Sequence, residues 1–431
     1  MTATVEAVWP APVASGPLAA TVRVPGSKSL TNRELLLSAI ADGPGILHDP
    51  LRARDTDLMA DGLRALGVAI DQPADDPTAL TVVPATLHGP ASVDAGLAGT
   101  VMRFLPPVAA LADGPVHFDG DPAARARPMD VIVSALRALG VSIDDGGRSA
   151  LPFDVHGAGV VRGGVVTIDA SASSQFVSAL LLAGARFDDG VDVRHSGKPV
   201  PSQPHVDMSV AALRRRGVDV DDAEPNRWVV APGAIHARDV RIEPDLSNAA
   251  PFLAAALVAG GSVTLLGWPA VTTQPGGSLP SLLGAFGARV DVEADRLTVT
   301  GEGRPVGVDL DLHDVGELTP VLAAVAACAT SRSFLRGIAH LRGHETDRLA
   351  ALAIELGRLG VAVTQTPDGL VIDPAPRHPA VLRTYADHRM VQAAALLGLV
   401  TPGVGIDDVG TVGKTFAAFP RVWSDMVDGA L

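Results

Sequence analysis

One pattern dominates this sequence: an amphipathic helix that stops at glycine and runs straight into a strand, written five times. The copies are ADGLRALGVAI (60–70), VSALRALGVSI (133–143), VAALRRRGVDV (210–220), SLLGAFGARVDV (281–292) and AIELGRLGVAV (353–363). Their glycines, Gly67, Gly140, Gly217, Gly287 and Gly360, are 73, 77, 70 and 73 residues apart. Glycine just past the last turn takes the left-handed conformation that closes a helix. The β-branched runs that follow, LTVVP (80–84), WVVAP (228–232), LTVTG (297–301) and LVIDP (370–374), are expected to be strands. A repeat of this length is one supersecondary unit, and the chain must fold as an array of such units.

Each repeat carries a second, more apolar helix with a polar start: SKSLTNRELLLSAIADG (27–43), AGTVMRFLPPVAALADG (98–114), SSQFVSALLLAG (173–184), LSNAAPFLAAALVAGG (246–261), GELTPVLAAVAACATS (316–331) and DHRMVQAAALLGLVTPG (387–403). Being hydrophobic nearly all round after the first turn, these are expected to be buried. Six of them imply six copies, the last truncated. A single core rarely grows past about 250 residues, so a chain of 431 residues is expected to form two domains of three units each. VRVPGSKSLTNR (22–33) aligns without a gap on VRIEPDLSNAAP (240–251). The expected division is therefore 25–243 for one domain and 1–24 plus 244–431 for the other, the N-terminal strand (2–20) pairing with the second. Two chain crossings would make a hinge.

Composition narrows the function. A net charge of −14 and only 3% aromatic residues argue against a nucleic-acid surface or an anionic membrane as partner. A lone Cys328 excludes a disulfide framework and a Cys-based zinc site, which fits a reducing, cytoplasmic compartment. The first basic residue is Arg23, so a secretory signal is not expected, nor does any apolar run reach the ~18 residues of a spanning helix. Among 34 basic residues only Lys28, Lys198 and Lys414 are lysine, and lysine, unlike arginine, can exchange a proton.

Polar residues gather at the starts of the apolar helices: Lys28, Ser29, Asn32 and Arg33; Gly99, Thr100 and Arg103; Ser173, Ser174 and Gln175; Asp245, Ser247 and Asn248; Glu317; Asp387, His388 and Arg389. Capping of orphan amides accounts for Ser and Asp. It does not account for Lys28, Arg33 or Arg389, which oppose the positive end of the helix dipole. Helix N-termini with added cations suit phosphate or carboxylate. Further cations fall in segments expected to be loops: Arg125 and Arg127 in GDPAARARP (120–128), Arg348 in HETDR (344–348) and Lys414 in VGKT (412–415). Each alone reads as a solvated charge, as does RRR (214–216) at a helix end. A P-loop fails because Asp408 stands where its first Gly is needed, and a zincin fails because Arg348 replaces the second His. GAGVVRGG (157–164) leads into a strand, not the helix of a dinucleotide site. Cys328, in an alanine-rich helix, reads as core packing.

Taken with the sixfold repeat, the segments PGSKSLTNR, LAGTVMRF, RARP, SSQF, HETDRL, YADHRM and GKTF closely resemble the 5-enolpyruvylshikimate-3-phosphate synthase (3-phosphoshikimate 1-carboxyvinyltransferase) family over nearly the whole chain. The resemblance implies an α/β enolpyruvyl transferase fold, an inside-out α/β barrel in each of two similar domains, each of three βαβαββ repeats with buried helices, closing on the substrates. It implies transfer of the enolpyruvyl group of phosphoenolpyruvate to the 5-hydroxyl of shikimate 3-phosphate, without cofactor or metal, by a monomer. Carried over motif by motif, shikimate 3-phosphate would be held by Lys28, Ser29, Arg33, Ser173, Ser174, Gln175, Ser202, Glu317 and His344. Phosphoenolpyruvate would be held by Lys28, Gly99, Arg127, Gln175, Arg348, Arg389 and Lys414. Glu317, Glu345 and Lys28 would carry the proton transfers. Glyphosate, by the same resemblance, would occupy the phosphoenolpyruvate site.

Departures from the commonest pattern are Glu317 where many members have Asp, His344 where many have Lys, and Leu97 and Phe104 beside AGT, which are expected to alter the wall of the phosphoenolpyruvate site. Two other readings stand beside this one. One is the sister transferase acting on UDP-N-acetylglucosamine, against which stand SKSLTNR and the lack of a loop cysteine. The other is a catalytically silent binder of phosphorylated metabolites, against which stand Glu317 and Glu345, since carboxylates weaken anion binding unless they move protons.

Overall fold

The computed structural model describes residues 8–431, so positions 2–7 of the expected N-terminal strand lie outside the described residues. The chain forms two compact units, Gly26–Ile242 and the pair of segments Met1–Pro25 and Glu243–Leu431.

Among the described residues each unit contains three small sheets built to one plan. In the first unit the sheet of the opening repeat runs Val240–Arg241, Gly45–His48, Ala79–Val83, Ala69–Asp71. The first pair is parallel and the other two pairs are antiparallel. The sheets led by Ala91–Asp94 and Gly164–Ile168 repeat this arrangement. In the second unit the sheets led by Leu18–Val22 and Asp309–Asp311 do the same. The sixth sheet has three strands, Val381–Leu382, Gly405–Ile406 and Trp9–Pro10. A contiguous repeat such as 91–158 is thus βαβαββ, its parallel pair joined through the apolar helix, as a parallel connection requires. The leading strand of the first unit comes from its C-terminal end, and that of the second from before the first unit begins.

The apolar helices are Lys28–Ala39, Gly99–Ala109, Gln175–Gly184, Leu246–Ala259, Thr319–Ala327 and His388–Gly398. Every residue of Thr319–Ala327 and of His388–Gly398 is buried, and the helices form the centre of each unit's core. The amphipathic helices bury one face only; Arg348–Arg358 turns Leu349, Leu352 and Leu356 inward. Each buried leucine of this kind contributes roughly 1.5–3 kcal/mol. The five repeat glycines have φ of +102°, +93°, +78°, +98° and +93°, the left-handed closure that their position in the sequence implies.

Four expectations change. Glu317 lies in a 3₁₀ turn, His313–Leu318, and not in the first turn of the helix that follows. Arg348 is no loop charge but the first residue of its helix, capped by Asp347 and buried. Cys328 lies just beyond its helix as the C-cap, packed against the second unit's core. The RRR run is not wholly solvated. Arg214 pairs with Asp222 at the surface, but Arg216 is 1% exposed and bonds to Glu34, equally buried, at 2.9 Å and to Ser38 at 2.8 Å. The apolar helix carrying Glu34 gives that guanidinium a reason to turn inward which helix-dipole reasoning could not supply.

Candidate active site

In the first unit, Gly99, Arg127 and Gln175 are brought together. A Cβ on Gly99 would lie 3.1 Å from Gln175 Oε1, 3.2 Å from Arg127 Nη1 and 3.3 Å from Arg103 Nη1, so the missing side chain is what lets these polar atoms converge on the helix start. Arg103 donates to Gln175 Oε1 at 2.6 Å and lies over the ring of Phe176. This fixes the Gln175 amide with its NH₂ group turned away from Arg103. Arg127 donates weakly to the Leu97 carbonyl at 3.4 Å, and its Nε is buried without a hydrogen-bond partner. Arg125, by contrast, is a half-exposed partner of Asp119, the solvated charge its surroundings suggest.

Lys28 opens its helix beside Asp55, 3.2 Å away, a carboxylate that is 3% exposed. Arg33 is buried and bonds elsewhere: to Ser209 Oγ at 2.8 Å, to the Ser29 carbonyl at 2.9 Å and to the His205 carbonyl at 2.8 Å. That last carbonyl belongs to the turn begun by Ser202, whose φ is +54° and whose own carbonyl accepts from the His205 amide. Ser173 Oγ accepts from the Gln175 amide, and Ser174 is buried at the N-cap of the same helix. Phe104 is fully buried with Arg33 stacked on its ring at 5.1 Å. Its ring thereby supports the Arg33 guanidinium.

In the second unit the acidic and basic residues form one chain of contacts. Glu345 Oε1 lies 2.8 Å from Lys414 Nζ, and Glu345 Oε2 lies 3.2 Å from Arg348 Nη2. Arg348 in turn meets Asp387 at 2.7 Å. Burial opposes the charge on Arg348, but Asp387 and Glu345 outweigh it and raise its pKa above the usual guanidinium value. Asp387 caps the next helix by accepting from the Arg389 amide at 2.9 Å, which places Arg389 in the first turn. His344 Nδ1 is 3.2 Å from Arg348 Nη1. Its ring lies 5.8 Å from that of His340, which lies 5.8 Å from His313. Burial, with His313 and Arg348 nearby, pushes His340 down to about 4. Glu317 accepts a hydrogen bond from Ser247 Oγ. Lys414 ends the 3₁₀ turn Val409–Lys414 and is 9% exposed.

Sequence reasoning gave no role to Arg103, Asp55 or His340, and only that of a cap to Asp387. Arg103 and Asp387 carried a signal, a charge at the start of an apolar helix. Asp55 carried none, since nothing in its local pattern ties it to Lys28. Among the described residues no group of three or more His, Cys, Asp or Glu could hold a metal ion, and no helix is long and apolar enough to cross a membrane.

Two units of three βαβαββ repeats, with cations and carboxylates set at the starts of the apolar helices, are those of the enolpyruvyl transferase fold. Solved structures with this fold include EPSP synthase from Acinetobacter baumannii, 24% identical, with 97% of each chain covered and a TM-score of 0.80. They also include the enolpyruvyl transferase NikO from Streptomyces tendae, 20% identical, with 96% of each chain covered and a TM-score of 0.74. The EPSP synthase (3-phosphoshikimate 1-carboxyvinyltransferase) family matches residues 13–423 of this sequence, and the chain belongs to that family. It is accordingly an enzyme of enolpyruvyl transfer in the shikimate pathway, acting on small molecules.

Proposed function

We propose that the enzyme transfers the enolpyruvyl group of phosphoenolpyruvate to the 5-hydroxyl of shikimate 3-phosphate by addition and elimination. Support comes from one observation above the others: Glu345 stands between Lys414 and Arg348 at 2.8 and 3.2 Å. A carboxylate in that place works against an anionic ligand unless it moves protons.

In the addition, Glu317 takes the proton of the 5-hydroxyl as its oxygen bonds to C2 of phosphoenolpyruvate, while Glu345 or Lys28 delivers a proton to C3, making it a methyl group. In the elimination, a methyl proton returns to the same base, the C2=C3 double bond re-forms and the C2–O bond to phosphate breaks. Arg348, Arg389, Lys414 and Arg127, with Lys28 and Gln175, hold the phosphate and carboxylate of phosphoenolpyruvate, close to Gly99. Arg127, whose buried Nε has no hydrogen-bond partner, gains one when an anion binds. Lys28, Ser29, Arg33, Ser173, Ser174, Gln175, Ser202, Glu317 and His344 hold shikimate 3-phosphate. Arg33 acts from a guanidinium already fixed by Ser209 and the carbonyl of His205.

Release of phosphate from phosphoenolpyruvate tests the reading. It is expected with shikimate 3-phosphate present, and not with UDP-N-acetylglucosamine or with no acceptor. Mass spectrometry should find the enolpyruvyl ether in the product. Release with the nucleotide sugar instead, or with neither acceptor, overturns the proposal.

A further inference from the structure

The sequence holds one tyrosine, Tyr385, and it stands in a conformation that tyrosine seldom takes. The Asp387 amide donates to the Thr384 carbonyl at 2.9 Å, closing a four-residue turn. The two central residues, Tyr385 and Ala386, have φ of +55° and +54°. Positive φ at both central positions marks the turn type that sequences normally fill with Asn-Gly. With L side chains at both positions it persists only where its surroundings hold it.

What holds it is visible. Glu355, 3% exposed, lies seven residues after Arg348 on the same helix. Its carboxylate accepts from the Tyr385 hydroxyl at 2.6 Å, from the Arg383 amide at 3.0 Å and from Arg358 Nε at 3.2 Å. Asp407 Oδ1 accepts from the Thr384 amide at 2.9 Å. Burial and the bond to Glu355 push the Tyr385 phenol up to about 12, so it stays a donor throughout the physiological range. The turn ends at Asp387, which meets Arg348 at 2.7 Å and accepts from the Arg389 amide. One helix therefore presents Arg348 at its start and, two turns later, the carboxylate that fixes the segment bearing Arg348's partner.

We propose that Glu355 and Tyr385 are positioning residues: their hydrogen bond locks the turn 384–387 in its left-handed form and so sets Asp387 against Arg348 and Arg389 at the start of its helix. Neither touches substrate. Their effect on turnover rests on the functional reading above, in which Arg348 and Arg389 bind phosphoenolpyruvate. Losing the lock removes binding shared by ground and transition states, which raises KM and leaves kcat nearly alone.

The test uses the full chain and the variants Tyr385→Phe, Glu355→Gln, Glu355→Ala and Tyr385→Phe/Ala386→Gly. Crystal structures, which need no activity, should show Tyr385→Phe with the turn relaxed to negative φ and Arg348 no longer within hydrogen-bond reach of Asp387. In steady state, Tyr385→Phe and Glu355→Ala should each raise the KM for phosphoenolpyruvate about 10-fold with kcat within about threefold. Combined, they should cost little more than Glu355→Ala alone, because the bond that Tyr385→Phe removes is already lost there. Glu355→Gln, which keeps an oxygen to accept from the phenol, should stay near wild type. Adding Ala386→Gly to Tyr385→Phe should bring KM back towards wild type, since glycine takes positive φ without strain. A merely structural role would lower melting temperature and leave KM and the glycine rescue unmoved.

If Glu355→Ala fails to fold, Tyr385→Phe decides. Tyr385→Phe with an unchanged turn in the crystal, or with KM within twofold of wild type, overturns the proposal. Wild-type protein that makes no enolpyruvyl product overturns the functional reading instead, and the crystal structures still judge the lock.

Discussion

Lys414 Nζ lies 2.8 Å from Oε1 of Glu345, and the other oxygen of that carboxylate faces Arg348, so one glutamate offsets part of the charge that two cations could offer an anion. If its value is proton transfer, Glu345→Gln should lower kcat by at least about 100-fold. The KM for phosphoenolpyruvate should stay the same or fall, because the cations lose a competing negative charge. Steady-state kinetics separates this from a binding role. A raised KM with kcat within about 10-fold of wild type would remove Glu345 from the chemistry.

Gly99→Ala should weaken glyphosate more than phosphoenolpyruvate. The new methyl would meet Gln175 Oε1 at 3.1 Å and Arg127 Nη1 at 3.2 Å, and Gln175 cannot yield easily because Arg103 holds it at 2.6 Å. One methyl in a tight pocket costs about 1–3 kcal/mol, and on the proposed site it should be borne mostly by the longer ligand, glyphosate. The ratio of the glyphosate inhibition constant to the phosphoenolpyruvate KM is the measurement. An unchanged ratio would show that Gly99 does not control access.

The repeat was legible because each copy carries its own local signals, a closing glycine and a change of period. Residue pairing was legible only where it followed those signals. Arg348 and Glu345, three residues apart, could be paired by eye. Arg348 with Asp387, 39 residues on, and Lys28 with Asp55 could not, since both pairs depend on how neighbouring helices pack. Tyr385 and Ala386 stood inside a recognised motif, yet nothing in the letters YA announces two left-handed residues; the sequence rule for such a turn would have asked for Asn-Gly. Arg216 failed for the opposite reason, a sound surface rule overridden by a buried Glu34.

Acid should destabilise the protein in two separate windows. His340 titrates at about 4 in the fold against 6.5 unfolded, so the unfolded chain binds the extra proton. The contribution is fully present above 6.5 and is lost as pH falls towards 4, amounting to about 3 kcal/mol at most before solvent screening. Asp192, held down to about 2 by Arg227 and Arg194 against 3.8 unfolded, contributes above 3.8 and loses that only as pH falls towards 2. Urea unfolding of wild type and His340→Gln at pH 7 and pH 4.5 checks the first window. The variant should lose clearly less stability than wild type between those two values, and an equal loss would show that His340 is not the group responsible.

A buried ion pair contributes to the stability of the first unit. Arg216 and Glu34 are each 1% exposed and bond at 2.9 Å, with Ser38 and the half-exposed Arg215 completing the group. Removing one member of a buried pair strands the other without water or counter-charge, which costs about 3–5 kcal/mol. Glu34→Gln should therefore destabilise by about that amount, moderated here because Arg215 and Arg216 are left together and Arg215 can swing out to solvent. Arg216→Met should cost less, because Arg215 remains to pair with Glu34 and the methionine fills the space apolarly. Urea titrations of the two variants give the comparison. Equal and small losses, below about 1 kcal/mol, would mean that the pair is open to solvent and contributes no more than a surface bridge.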